Sequence, residues 1–119
     1  YQQNYRDALY NYDSLLTYFD GHSLSDEIYI RKADIFLQQD SIYLALAMCQ
    51  KIISEWPFDI LADDALYMQA KIYEDILKDK EKAMNSYESI LLLHSGSIFT
   101  VESRKRFRAL RGDNINLNE

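Results

Sequence analysis

The residues of this 119-residue chain that could do chemistry are two histidines, one cysteine and three adjacent acidic pairs. His22 and His94 both fall at helix–loop junctions of the sequence pattern. Neither has a second ligand type one helical turn away on the same face, as a zinc or transition-metal site requires, so surface or capping roles are expected. A single cysteine, Cys49, excludes an intrachain disulfide framework and a cysteine-rich zinc site. It sits at a recurring apolar position and reads as a small buried hydrophobe, with a reactive thiol as the competing reading. Asp26-Glu27, Asp63-Asp64 and Glu74-Asp75 have the composition of paired general acids and bases. That chemistry needs an enclosed pocket and a raised pKa, and the sequence supplies neither. Two of the pairs open helices, where the macrodipole favours acids. No catalytic, cofactor-binding or metal-ligating residue is expected, and the chain is not read as an enzyme.

Charge is distributed unevenly. Residues 1–103 carry 17 acids and 8 bases, residues 104–111 (RKRFRALR) carry 5 bases and no acid, and the whole chain is at −6. The acidic body argues against general nucleic-acid binding. The basic run Arg104, Lys105, Arg106, Arg108 and Arg111 suits the last turns of a final helix and its solvated face. Contact with an acidic partner, or with the protein's own acidic body, is the next reading. In Arg111-Gly112-Asp113 the glycine reads as a helix stop. No apolar run approaches the roughly 18 residues of a membrane span, and no targeting segment is visible.

These residues must be positioned by helices. One proline and three glycines cannot supply the turns of an all-β sandwich or the phosphate loop of a doubly wound domain. Residues 43–56 place Leu44, Met48, Ile52 and Trp56 at helical spacing beside Ala45 and Cys49, and residues 82–93 repeat this with Ala83, Tyr87, Ile90 and Leu91. Gly21, Pro57 and Gly96 mark breaks, and Ser25 is expected to cap a helix. Six helices are predicted, at about 2–19, 25–38, 41–56, 61–77, 80–93 and 98–110.

The chain also repeats itself. Ala8, Ala45 and Ala83 correspond, as do Tyr12, Cys49 and Tyr87, at steps of 37 and then 38 residues. Ala33 and Ala70, and Phe36 and Tyr73, are 37 apart. The second unit therefore holds one extra residue between Tyr73 and Ala83, expected in or beside the turn at 77–81. The alanines should sit where helices approach most closely, with Tyr12, Phe36, Tyr73 and Tyr87 filling wider gaps. Of the ten tyrosines, Tyr29 and Tyr67 are accounted for least by the repeat.

This pattern resembles the tetratricopeptide repeat, a helix–turn–helix unit of about 34 residues. Tyr29, Lys32, Ala33 and Phe36 fill the first-helix places of one unit, and Ala45, Cys49 and Pro57 its second-helix places. Leu66, Gln69, Ala70 and Tyr73, then Ala83, Tyr87 and Ser95, fill the next, while Ala8, Tyr12 and Asp20 look like the second half of an earlier unit. Lys32 and Gln69 stand where the family has leucine, and Ser95 where it has proline.

The resemblance implies an all-α fold of antiparallel helical hairpins stacked as a right-handed solenoid. Over 1–111 it implies a half repeat at 1–20, repeats at 25–57 and 61–95, and a capping helix at 98–110, with 112–119 as a flexible tail. It also implies an interaction scaffold that takes a peptide or partner protein on the concave face. The residues it turns inward are Glu27, Ile30, Asp34, Leu37 and Gln38, then Asp64, Tyr67, Lys71 and Glu74, with Lys105 and Ala109 continuing the set. The lysine–asparagine clamp of chaperone-type members is missing, so a C-terminal carboxylate is not the expected ligand. A homodimer through Ala8, Leu9, Tyr12, Leu15 and Leu16 of the half repeat is the alternative expectation. The closing stretch is similar to the C-terminal ends of long bacterial tetratricopeptide proteins, which leans toward a cell-envelope setting.

Overall fold

The computed structural model of the chain describes residues 2–19 and 25–112, with side chains from residue 5 and excluding 15–19. The expectations for Leu15, Leu16, Gly21, His22 and the 113–119 tail lie outside the described residues. All regular structure within them is helical, and the chain divides into two compact units, Tyr1–Pro57 and Phe58–Glu119.

The first unit holds α1 (Gln2–Phe19), α2 (Ser25–Gln38) and α3 (Ile42–Glu55). Helices α2 and α3 form a hairpin because small residues let their backbones close up: Ala33, Ala45, Cys49 and Ile52 are wholly buried. One expectation is corrected here. Leu44 does not join the core of α3. It is 51% exposed, and Leu46 is buried instead, since the stripe set by Ala45, Cys49 and Ile52 turns Leu44 away. Ser25 opens α2, at the expected start of that helix, and is fully buried.

The turn after α2 is closed by Asp40 in the left-handed region at φ 60°, with the Ser41 N–H donating to the Phe36 carbonyl at 2.8 Å. This satisfies carbonyls that the helix end would leave open. Helix α3 stops at Trp56, φ −132°, because the following Pro57 disfavours helical backbone there.

The second unit holds α4 (Ile60–Lys71), which widens into a π-helical turn at Ile72–Ile76, then α5 (Lys80–Leu93) and α6 (Thr100–Arg111). Asp59 caps α4 by accepting from the Leu61 N–H, and Asp79 caps α5 by accepting from the Lys82 N–H. Ala62, Ala65, Ala70, Ala83, Tyr87 and Ile90 have no exposed surface. Helix α6 ends at Gly112, whose φ of 93° is one that a side-chain-bearing residue rarely adopts.

The extra residue lies between Tyr73 and Lys78, beside the turn where the repeat spacing puts it. Lys78 repeats the left-handed φ of Asp40, and the Asp79 N–H donates to the Tyr73 carbonyl as Ser41 does to Phe36. The same closing bond spans five residues in the first unit and six in the second. The addition therefore falls before Lys78, where the Leu77 N–H reaches back five residues to the Ile72 carbonyl at 3.0 Å. A π-helical turn accommodates one residue more than an α-turn.

Candidate functional site

Three of the residues expected to face inward lie along one side of α4. Asp64, Tyr67 and Lys71 are half-exposed, while Ala62, Ala65, Leu66 and Ala70 on the opposite side are buried. The Tyr67 ring stacks on Phe99, centroids 4.3 Å apart and planes within 10°, and meets Tyr87 edge-on at 6.2 Å. Burial, followed by the nearby carboxylates Glu102 and Glu74, raises its hydroxyl pKa. Lys71 pairs with Asp75 at 3.1 Å. Burial of Asp64 and the adjacent charge of Asp63 push the Asp64 carboxyl above its ordinary range.

Glu74, the last member of the strip, is bound within the fold. Its side chain is 9% exposed, and it accepts from the Tyr87 hydroxyl at 2.8 Å and from Arg106 Nε at 3.2 Å, with Arg106 Nη2 on its second oxygen. Burial pushes its carboxyl pKa up, but the bonds from Arg106 and Tyr87 and the charge of Arg106 outweigh this, so the net shift is downward. The same bond, added to burial, pushes the Tyr87 hydroxyl far upward. Part of the basic run therefore engages the protein's own acidic body.

On α2 the strip is more open. Asp34 and Gln38 are exposed, and Glu27, Ile30 and Leu37 are half-buried. Glu27 pairs with Arg31 at 2.8 Å, and the Gln38 side-chain oxygen accepts from the Tyr5 hydroxyl at 2.6 Å. Lys105 and Ala109 on α6 are half-buried, as are Ala8, Leu9 and Tyr12 on α1. Cys49 is wholly buried, and burial plus the charge of Asp34 push its thiol up to about 12. Among the described residues no group of three or more His, Cys, Asp or Glu could hold a metal ion, and no helix is long and apolar enough to cross a membrane.

A second feature escaped the sequence reading. A notch of about 430 Å³ opens beside the start of α4 and the link from α5 to α6. Phe58, Ile60 and Ile98 line it and are 84%, 78% and 88% exposed. Asp59, Asp63, Asp64 and His94 also line it. The available signal was apolar residues placed in loops (WPFDI, GSIF), where no helical stripe explains them.

Comparison with known proteins follows the same geometry. Searches of curated proteins and of solved structures gave no match. A family model for the tetratricopeptide repeat matches residues 64–97, which cover most of α4, the π-helical turn and all of α5. Members of that family generally mediate protein–protein interactions and are generally non-catalytic. The described residues are thus all-helical in their regular structure, and residues 64–97 match the tetratricopeptide repeat.

Proposed function

We propose that the chain is a non-enzymatic scaffold that binds a peptide or a partner protein along the inward strips of its repeat helices. Those strips are Glu27, Ile30, Asp34, Leu37 and Gln38 on α2, Asp64, Tyr67, Lys71 and Glu74 on α4, and Lys105 on α6. The observation that carries this reading is the sidedness of α4. One face is closed by alanines and Leu66, while the other offers an acid, an aromatic and a base one to two turns apart. Such a strip gives an extended or helical segment both apolar area and charge to read. Glu74 contributes by holding Arg106, and hence α6, rather than by reaching a ligand.

The test is capture from extract of the source cells, followed by titration of the captured partner. Tyr67→Ala combined with Lys71→Glu should weaken binding at least tenfold. If a partner binds and the double variant leaves its affinity untouched, the strip assignment is wrong.

A further inference from the structure

The notch beside the α4 start shares Asp64 with the α4 strip but is otherwise lined by different residues. We propose that it is a second docking site, one that takes a segment of a partner protein presenting an arginine or lysine beside apolar side chains. The apolar half of the argument is exposure. Phe58 approaches from the chain ahead of α4, Ile60 from its first residue and Ile98 from the α5–α6 link, and all three stand largely in water around one concavity. Soluble chains rarely leave large apolar side chains clustered in this way without a partner to cover them.

The charged half is a set of carboxylates with no cation. No lysine or arginine lines the notch. Asp59 has work within the fold, accepting from the Leu61 N–H. Asp63, 8% exposed, lines the notch beside Asp64. Burial and the neighbouring charge of Asp63 raise the Asp64 carboxyl pKa, so the two carboxylates repel and a cation beside them is favoured. His94 contributes an unsatisfied atom, since its Nε2 is buried and bonded to nothing.

An entering ammonium or guanidinium group would answer Asp63 and Asp64 together. Among the described residues no group of three or more His, Cys, Asp or Glu could hold a metal ion there. The volume lies within the usual range for ligand sites, about 300–1,000 Å³, and can hold an arginine side chain with an apolar neighbour. A second copy of the chain could offer Arg104 and Arg108 from α6, both exposed, and is the competing occupant.

The probe is the blocked peptide acetyl-Ala-Phe-Arg-Leu-Ala-amide, titrated into the isotope-labelled 119-residue chain and followed by amide chemical shifts. Shifts should concentrate at residues 58–64 and 94–99 and weaken as ionic strength rises. Asp63→Asn and Ile98→Ser should each lower affinity about tenfold, the size expected for losing a charged hydrogen bond or a buried apolar contact. Lys71→Glu, on the strip, should leave it within about twofold, which separates failure of this site from failure of the strip. Ile98 is too exposed for its loss to unfold the chain, so Ile98→Ser decides even if Asp63→Asn is poorly folded. The proposal is overturned if the peptide with glutamate in place of arginine binds equally well, or if shifts are absent or spread elsewhere. It is equally overturned if sedimentation shows a dimer that Ile98→Ser dissolves, since a second copy then fills the notch.

Discussion

Replacing Glu74 with glutamine removes one charge from the Glu74–Arg106–Tyr87 cluster and leaves the shape nearly unchanged. Losing one partner of a fully buried ion pair costs about 3–5 kcal/mol, and an exposed pair is worth about 0–1 kcal/mol. Glu74 is 9% exposed and Arg106 28%, so the pair lies between these limits. The glutamine amide oxygen can still accept from the Tyr87 hydroxyl, and Arg106 can turn partly to water. A loss of about 1–2 kcal/mol at neutral pH follows, or a fall in Tm of roughly 5–10 °C for a unit of this size. The assay is thermal unfolding by circular dichroism of wild type, Glu74→Gln, Arg106→Met and the double variant. The coupling energy should be about 1 kcal/mol.

The pH dependence sharpens this test. The carboxyl of Glu74 is held below the ordinary value of 4.5. Its contribution is therefore complete above 4.5 and is lost as pH falls through the lower, folded-state pKa. Wild type and Glu74→Gln should converge in stability on acidification below 4.5, because the wild-type charge disappears as well. A gap that stayed constant down to pH 3, or a coupling below about 0.3 kcal/mol, would refute the claim that charge pairing holds α6 to the π-helical turn.

Two further outcomes follow from the core. Cys49 should resist a disulfide reagent at pH 8 in the folded chain and react within the mixing time in urea, and rapid native labelling would contradict its burial. Its raised pKa means that the stability it lends is complete below 9.0 and is lost as pH climbs toward about 12, a loss that Cys49→Ala should not show. Ala83→Leu places three additional carbons where no surface is exposed and should cost about 1–3 kcal/mol in a urea titration; an unchanged midpoint would mean that the helices are not in close contact there.

Much of the fold was legible because the repeat is written in residues whose size is constrained. Ala33, Ala45, Ala70 and Ala83 recur where helices touch, and all are wholly buried. Helix ends were legible where backbone chemistry fixes them, at Trp56 before Pro57 and at Gly112. Leu44 was not, because helical spacing alone admits two adjacent stripes on α3, and only the packed neighbour selects between Leu44 and Leu46. The strip on α4 could be projected from spacing, but the capture of Glu74 by Arg106 could not. The two are 32 residues apart and no local pattern joins them. The notch was invisible for a related reason, since its walls come from two loops whose meeting depends on the helices between them.

The π-helical turn shows how the repeat tolerates one added residue. An extra residue in the α4–α5 connection itself would have moved Lys78 off the left-handed position and broken the closing bond to the Tyr73 carbonyl. Placed before Lys78, it lets both features persist, with Tyr73 buried as the repeat demands. The cost is local: the backbone leaves α-geometry for five residues. Glu74 lies in that segment, at the place where the first unit has Leu37. A leucine there can only add apolar area, whereas a glutamate must find donors, and Tyr87 from α5 and Arg106 from α6 supply them. The irregular turn is thus braced by polar contacts from both α5 and α6. That bracing is why a single charge removed at Glu74 should be felt in α6, at Arg106 32 residues further along the chain, rather than in the turn alone.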